Sequence, residues 1–233
     1  MKKKIIFLFV LNLLMTYVCK SQQGITNNWL MGYSSWGGSP FGQTKIDFYN
    51  GTPSFMYDSL EMDFNHTHSN ISDNNGNLLF YTNGFYLADA TNDTMQNGSG
   101  INPSAYTTYF SDGLGIPQAN VIIPKPNNAN LYYLFHSTVD TFPGYSHSKY
   151  LYYSLIDMSL NGGLGAVTLK NQILITDSLN YGKITACKHA NGRDWWVICQ
   201  KLNSNRFLKL LITPAAILGP YTQDLGNVRV AGA

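Results

Sequence analysis

The stretch Ile71-Ser72-Asp73-Asn74-Asn75-Gly76-Asn77-Leu78-Leu79-Phe80-Tyr81-Thr82 decides the fold class. A run of turn-forming residues leads directly into five residues that suit a pleated, half-buried strand. Asn tolerates a positive φ and Gly adopts one freely, so Asn75-Gly76 predicts a two-residue type I′ hairpin. The same plan of strand, polar turn and aromatic strand recurs over 120–138 and 183–201, with turns near residues 128 and 191. The offsets, about 53 and 63 residues, fit repeated four-stranded units such as propeller blades. Further Asn-Gly pairs stand at 50–51, 83–84, 97–98, 161–162 and 191–192, and strand-like runs at 131–135, 150–155, 195–199 and 207–213. No helical periodicity is found beyond the N-terminal segment. The expectation is an all-β, β-propeller-like fold of about three and a half to four four-stranded blades. A β-sandwich is the alternative.

Composition agrees with strands joined by polar turns. The chain is 14% aromatic and only 12% charged, against roughly 25% charged in an average soluble domain. Lys2, Lys3 and Lys4 precede an apolar run over 5–18, with Ser21 at a plausible cleavage site before Gln22. Residues 1–21 therefore read as a signal peptide, too short in its apolar part to span a membrane, and 22–233 as the exported domain. A lipoprotein signal with acylated Cys19 is the alternative, although Val18 is large for that role. The product is expected to be extracellular or on the outer cell surface, with no transmembrane segment after cleavage. Loss of Lys2, Lys3, Lys4 and Lys20 leaves 11 basic against 13 acidic residues. That slightly acidic balance argues against nucleic acid as a partner. Hairpin register about Asn191-Gly192 places Cys187 opposite Trp196, so Cys187 and Cys199 read as two buried free thiols rather than a disulfide.

Several segments together carry a resemblance. They are Asn27-Asn28-Trp29, the 71–84 stretch, Gln118-Ala119-Asn120-Val121-Ile122-Ile123-Pro124-Lys125-Pro126, the 157–165 stretch with Gly162-Gly163-Leu164-Gly165, and Lys188-His189-Ala190-Asn191-Gly192-Arg193-Asp194-Trp195-Trp196-Val197-Ile198. In this order and spacing the chain resembles the N-terminal β-propeller-like region of large Bacteroidetes surface proteins that use type IX secretion or gliding-motility-associated domains. The resemblance covers nearly the whole mature chain. It implies a surface protein and brings no catalytic residues. Tyr33 to Gln43 departs from it as an insertion, and the chain ends at Ala233 without a sorting domain. The domain is therefore expected to be incomplete at its C-terminus, which leaves a nonfunctional fragment of a larger surface protein as one further reading.

Chemistry is thinly signposted. Glu61 is the only glutamate. With Asp63 it would alternate on one strand face and supply the two carboxyl groups of a carbohydrate-active hydrolase. His66 and His68, spaced i and i+2, are the best metal-ligand pair, with His136, His147 or Asp63 as a third ligand. Asp73, Asp93, Asp112, Asp177, Asp194 and Asp224 read as turn residues. Gly144-Tyr145-Ser146-His147-Ser148 lacks the closing Gly of a nucleophile elbow. No cofactor motif is present. The pairs Tyr132-Tyr133, Tyr152-Tyr153 and Trp195-Trp196 alternate faces, which would leave one ring of each exposed to a glycan or a protein partner. The leading expectation is a non-enzymatic secreted or cell-surface binding or scaffold module for an extracellular glycan or surface protein.

Overall fold

The computed structural model describes residues 24–33, 37–39, 41–49, 51–58, 60–140 and 147–228. The leader expected over 1–21 lies outside the described residues. Fifteen strands run through the rest as four antiparallel meanders in chain order. The first comprises β1 (Asn28–Met31), β2 (Gln43–Asp47) and β3 (Ser54–Asp58). The second comprises β4 (Ser69–Ser72), β5 (Leu78–Thr82), β6 (Tyr86–Asp89) and β7 (Thr94–Ser99). One helical turn, α1 (Ala105–Tyr109), follows, capped by the Ser104 side chain. The third comprises β8 (Asn120–Pro124), β9 (Leu131–His136), β10 (Ser148–Asp157) and β11 (Ala166–Leu179). The fourth comprises β12 (Thr185–Lys188), β13 (Trp195–Gln200), β14 (Arg206–Ile212) and β15 (Ile217–Asp224).

The all-β expectation holds. The second and third meanders meet edge to edge through a single parallel pair, Gln96 with Ala166, and so form one eight-stranded sheet. Side chains reinforce that thin seam: Asn97 Nδ2 donates to Val167 O, and Lys170 Nζ donates to Asn97 and Ser99 oxygens. The eight-stranded sheet folds back on itself over an apolar layer.

Strand alternation sends successive residues to opposite faces, and each face has its own layer. Leu30, Leu60, Met62 and Phe64 pack on Tyr81 and Ala88, between the first and second meanders. Ile71, Phe80, Leu87 and Met95 pack on Tyr132, Leu134, Ile156 and Val167, between the second and third. Ile123, Tyr133, Phe135, Leu151 and Ile175 pack on Val197, Cys199, Leu208 and Leu210, between the third and fourth. A fourth cluster, around Tyr106, Leu114, Ile116 and Val139, ties down the 105–119 connection. Face-to-face sheets of this kind also satisfy the sandwich alternative.

The turns at Asn75-Gly76 and Asn191-Gly192 differ from the type I′ expectation, whereas Asn161-Gly162, with φ of 51° and 66°, meets it. Gly76 and Gly192 take positive φ of 86° and 71°, but Asn75 and Asn191 do not. The Gly76 N–H donates to Asp73 O and the Gly192 N–H to His189 O, so each Gly closes a four-residue turn. The reason is side-chain competition for the turn amides. Asp73 Oδ1 accepts from the N–H groups of Asn75 and Asn77, and Asn191 Oδ1 accepts from those of Arg193 and Asp194. Asn97-Gly98 lies inside β7 rather than in a turn, and Asp177 and Asp224 lie in strands.

Candidate functional site

Glu61 with Asp63 and His66 with His68 were expected on strands, and residues 60–68 instead form a loop. Glu61 is exposed there and Asp63 half-buried, so strand alternation does not align them. Asp63 instead lies near Asp112. Burial first, then the Asp112 charge, pushes the Asp63 carboxyl above its ordinary range. Asp112 Oδ2 accepts from the Tyr33 hydroxyl at 2.7 Å and from Asn65 Nδ2 at 3.2 Å. Neither Asp112 nor Tyr33 was marked as functional by sequence reasoning, because Asp112 lies 49 residues from Asp63 and 79 from Tyr33 along the chain.

His66 and His68 sit in the same loop, both exposed, and the strand geometry proposed for them is corrected accordingly. His68 lies against the Phe64 ring, and the resulting desolvation lowers its pKa. Among the described residues no group of three His, Cys, Asp or Glu side chains is placed to hold a metal ion. His136 is unsuited to a ligand role, since it is fully buried with both ring nitrogens engaged. Nδ1 lies 2.7 Å from Asn102 Oδ1 and Nε2 lies 3.0 Å from Ser154 Oγ. Asn102 Nδ2 donates to Gly84 O, so its Oδ1 faces the ring and the proton resides on Nδ1. Ser154 Oγ donates to Nε2 and accepts from the Asn171 N–H. The serine–histidine–asparagine order matches a hydrolytic triad. All three residues are at 0% exposure, however, and the network is sealed from any substrate. It fastens β9, β10, β11 and the turn after β7.

Of the aromatic pairs, Tyr132 and Tyr133 are both buried, and Tyr152 is buried beside half-buried Tyr153. The expectation of one exposed ring per pair fails there because the third meander is covered on both faces. Trp195 and Trp196 do take opposite faces, but both are half-buried, so neither is the exposed ring that was expected. Trp195 packs inward with Lys188 Nζ 4.1 Å from its ring centre. Trp196 lies on the opposite face with Tyr221 at 6.1 Å and Lys209 at 5.6 Å. Cys187 pairs with Trp196 as the register predicted. Both cysteines are free, but Cys187 is exposed, a correction to its expected burial. It follows Trp196 to the outer face because β12 is the edge strand of its sheet.

The most distinctive surface belongs to the first meander, and its polarity is inverted. The face turned inward carries Asn28, Leu30, Gln43, Lys45 and Asp47. Gln43 is fully buried, donating to Met62 O and accepting from the Leu60 N–H, and Asn28 Nδ2 donates to Ser72 Oγ and Gly76 O. The opposite face carries Trp29, Ile46 and Phe55 in one cross-strand row, and Met31, Thr44 and Tyr57 in the next. Trp29 is 50% exposed, Phe55 69% and Tyr57 41%. Phe48 stacks obliquely on Trp29 at 4.9 Å. No family model matches the chain, and no curated protein or solved structure is significantly similar to it. The face itself therefore carries the functional argument. Sequence reasoning passed over it because β1 to β3 fall outside the repeated hairpin plan. The alternation Trp29-x-Met31 and Phe55-x-Tyr57 was the available signal.

Proposed function

We propose that this chain is a non-enzymatic, secreted or cell-surface binding and scaffold module whose partner covers the aromatic outer face of β1, β2 and β3. The inverted polarity of that sheet carries the reading. Apolar rings left in water while amides are buried beneath them make sense when something packs on the rings. The N-terminal leader pattern and the resemblance to Bacteroidetes surface proteins support export. Four meanders in chain order, each packed on the next, support blades of an incomplete propeller. So does the adjacency of their first strands, β1 beside β4, β4 beside β8 and β8 beside β12.

The test is binding of polysaccharide and protein fractions of the source cell envelope, assayed separately, to wild type and Phe55→Ser. Binding lost in the variant at unchanged circular dichroism supports the reading, and binding indifferent to Phe55 and Trp29 defeats it. A second reading, a carbohydrate-active hydrolase, gains from one observation: Asp63 is raised toward the protonated form beside Asp112, as a general acid requires. Glycan hydrolysis by wild type that Asp63→Asn abolishes would establish that reading in place of the first.

A further inference from the structure

Each meander has two faces, and three of the four interfaces a closed ring would need for one copy's sheets are already formed inside the chain. Among the described residues two faces are left over, one on the first meander and one on the fourth. The first is the outer face of β1 to β3. The second is the outer face of β12 to β15. There Cys187, Trp196, Leu211 and Leu218 form one cross-strand row, and Thr185, Ile198, Lys209 and Tyr221 the next. Leu218 is 41% and Tyr221 46% exposed. Both leftover faces have the aromatic and aliphatic character of the three internal layers.

We infer that these faces cover each other between two copies of this chain, the first meander of one against the fourth meander of the other, closing a two-fold ring of eight sheets. The inference rests on the proposed binding role of the first meander's outer face and names its partner. Three observations favour a second copy. One kind of contact, made twice, covers both leftover faces, whereas pairing like with like would leave one of them in water. The contact repeats the packing that already joins consecutive meanders, and it sets β12 of one copy beside β1 of the other, continuing the series β1, β4, β8, β12. The area is also sufficient. Trp29, Phe55 and Tyr57 expose between 41 and 69% of their surface, which for rings of roughly 150–250 Å² gives about 300–400 Å² per face. On the fourth meander Leu218 and Tyr221, 41% and 46% exposed, add about 150–200 Å², so the two contacts together bury on the order of 1,000 Å², the lower bound of a specific interface. Two-fold closure also leaves no free end to grow into a fibre.

The full-length chain, exported and purified, is measured by light scattering coupled to size-exclusion chromatography at about 1 to 100 μM, a range spanning typical dimer affinities. Two double variants accompany it, Trp29→Asp with Phe55→Asp, and Leu218→Asp with Tyr221→Asp. Wild type runs as a dimer and each variant alone as a monomer. An equimolar mixture of the two variants regains a dimer, because one intact face remains on each. A dimer that survives Leu218→Asp with Tyr221→Asp would mean like-with-like pairing and overturn the inference. So would an open-ended oligomer, or a wild-type monomer throughout the range. A wild-type monomer that still binds an envelope fraction through Phe55 overturns the ring and leaves the binding role intact. Should either variant misfold, Met31→Cys in the wild-type background replaces it. A short bis-maleimide then joins Met31→Cys of one copy to the native Cys187 of the second, giving a covalent dimer. Failure to cross-link counts against β12 lying beside β1.

Discussion

His136 shows how a residue that looks reactive becomes structural. Burial lowers its pKa from the usual 6.5 to about 3, so the ring is neutral in the fold. An unfolded chain binds a proton at this position below pH 6.5 and the folded one does not. The contribution is therefore fully present above pH 6.5 and is lost as pH falls toward 3, by about 1.4 kcal/mol per pH unit. Urea denaturation between pH 7 and 4 should show that slope, and His136→Gln should reduce it while lowering stability at pH 7. Asp194 acts in a different window. The Arg193 hydrogen bond at 2.7 Å is the first cause holding its carboxyl down to about 2. Its contribution is present above the ordinary carboxylate range and fades only as pH falls through about 2. The two cysteines divide by exposure. Burial pushes the Cys199 thiol up to about 12, which suppresses the reactive thiolate. Iodoacetamide on the folded protein should therefore modify exposed Cys187 and spare Cys199 until denaturant is added, as read by peptide mass mapping.

At the scale of single elements, glycine substitutions separate backbone strain from crowding. Gly192 has φ +71° with nothing within 4 Å of an added Cβ. Gly182 has φ +69°, but an added Cβ would stand 2.0 Å from Pro117 O. Gly192→Ala should cost about 1 kcal/mol from the left-handed backbone alone. Gly182→Ala should cost several times more, because the connection into β12 must move away from Pro117. Thermal unfolding of both variants checks the order. The elements were largely legible in the sequence. The segments 69–82, 120–138 and 183–201 are the opening hairpins β4–β5, β8–β9 and β12–β13 of three successive meanders, and polar turns beside aromatic runs announce them. At 75–76 and 191–192 turn type was not legible, since Asp73 and Asn191 decide it by capturing amides two to four residues on. The 61–68 loop was misread as a strand because alternation of Met62, Phe64 and polar neighbours imitates a strand face. Met62 and Phe64 are in fact buried under Leu30 and Tyr81 without forming a ladder. The short α1 left no periodic trace, as one turn is held by the Ser104 and Thr107 caps rather than by an apolar stripe.

For the whole molecule, the difference between internal and leftover faces predicts opposite responses to similar substitutions. Phe80 is fully buried in the layer joining the second and third meanders. Phe80→Ala should cost about 3–5 kcal/mol at any protein concentration, because it opens a cavity that the β5 and β9 backbones cannot collapse. Phe55, 69% exposed, belongs to none of the internal layers. The candidate site escaped sequence reasoning for the same reason: the long-range packing that buries Tyr132 and leaves Phe55 in water is not written in either residue's neighbours. Removing Phe55 should change the stability of an isolated chain by less than about 0.5 kcal/mol. If a second copy covers it, however, folding and association are linked, and stability depends on protein concentration. The wild-type melting temperature should rise as concentration increases. Phe55→Ser should melt at a temperature that does not respond to concentration and that matches wild type at high dilution. Differential scanning fluorimetry across two decades of concentration measures both curves. A concentration-independent wild-type melt would show that folding is complete without a partner on that face.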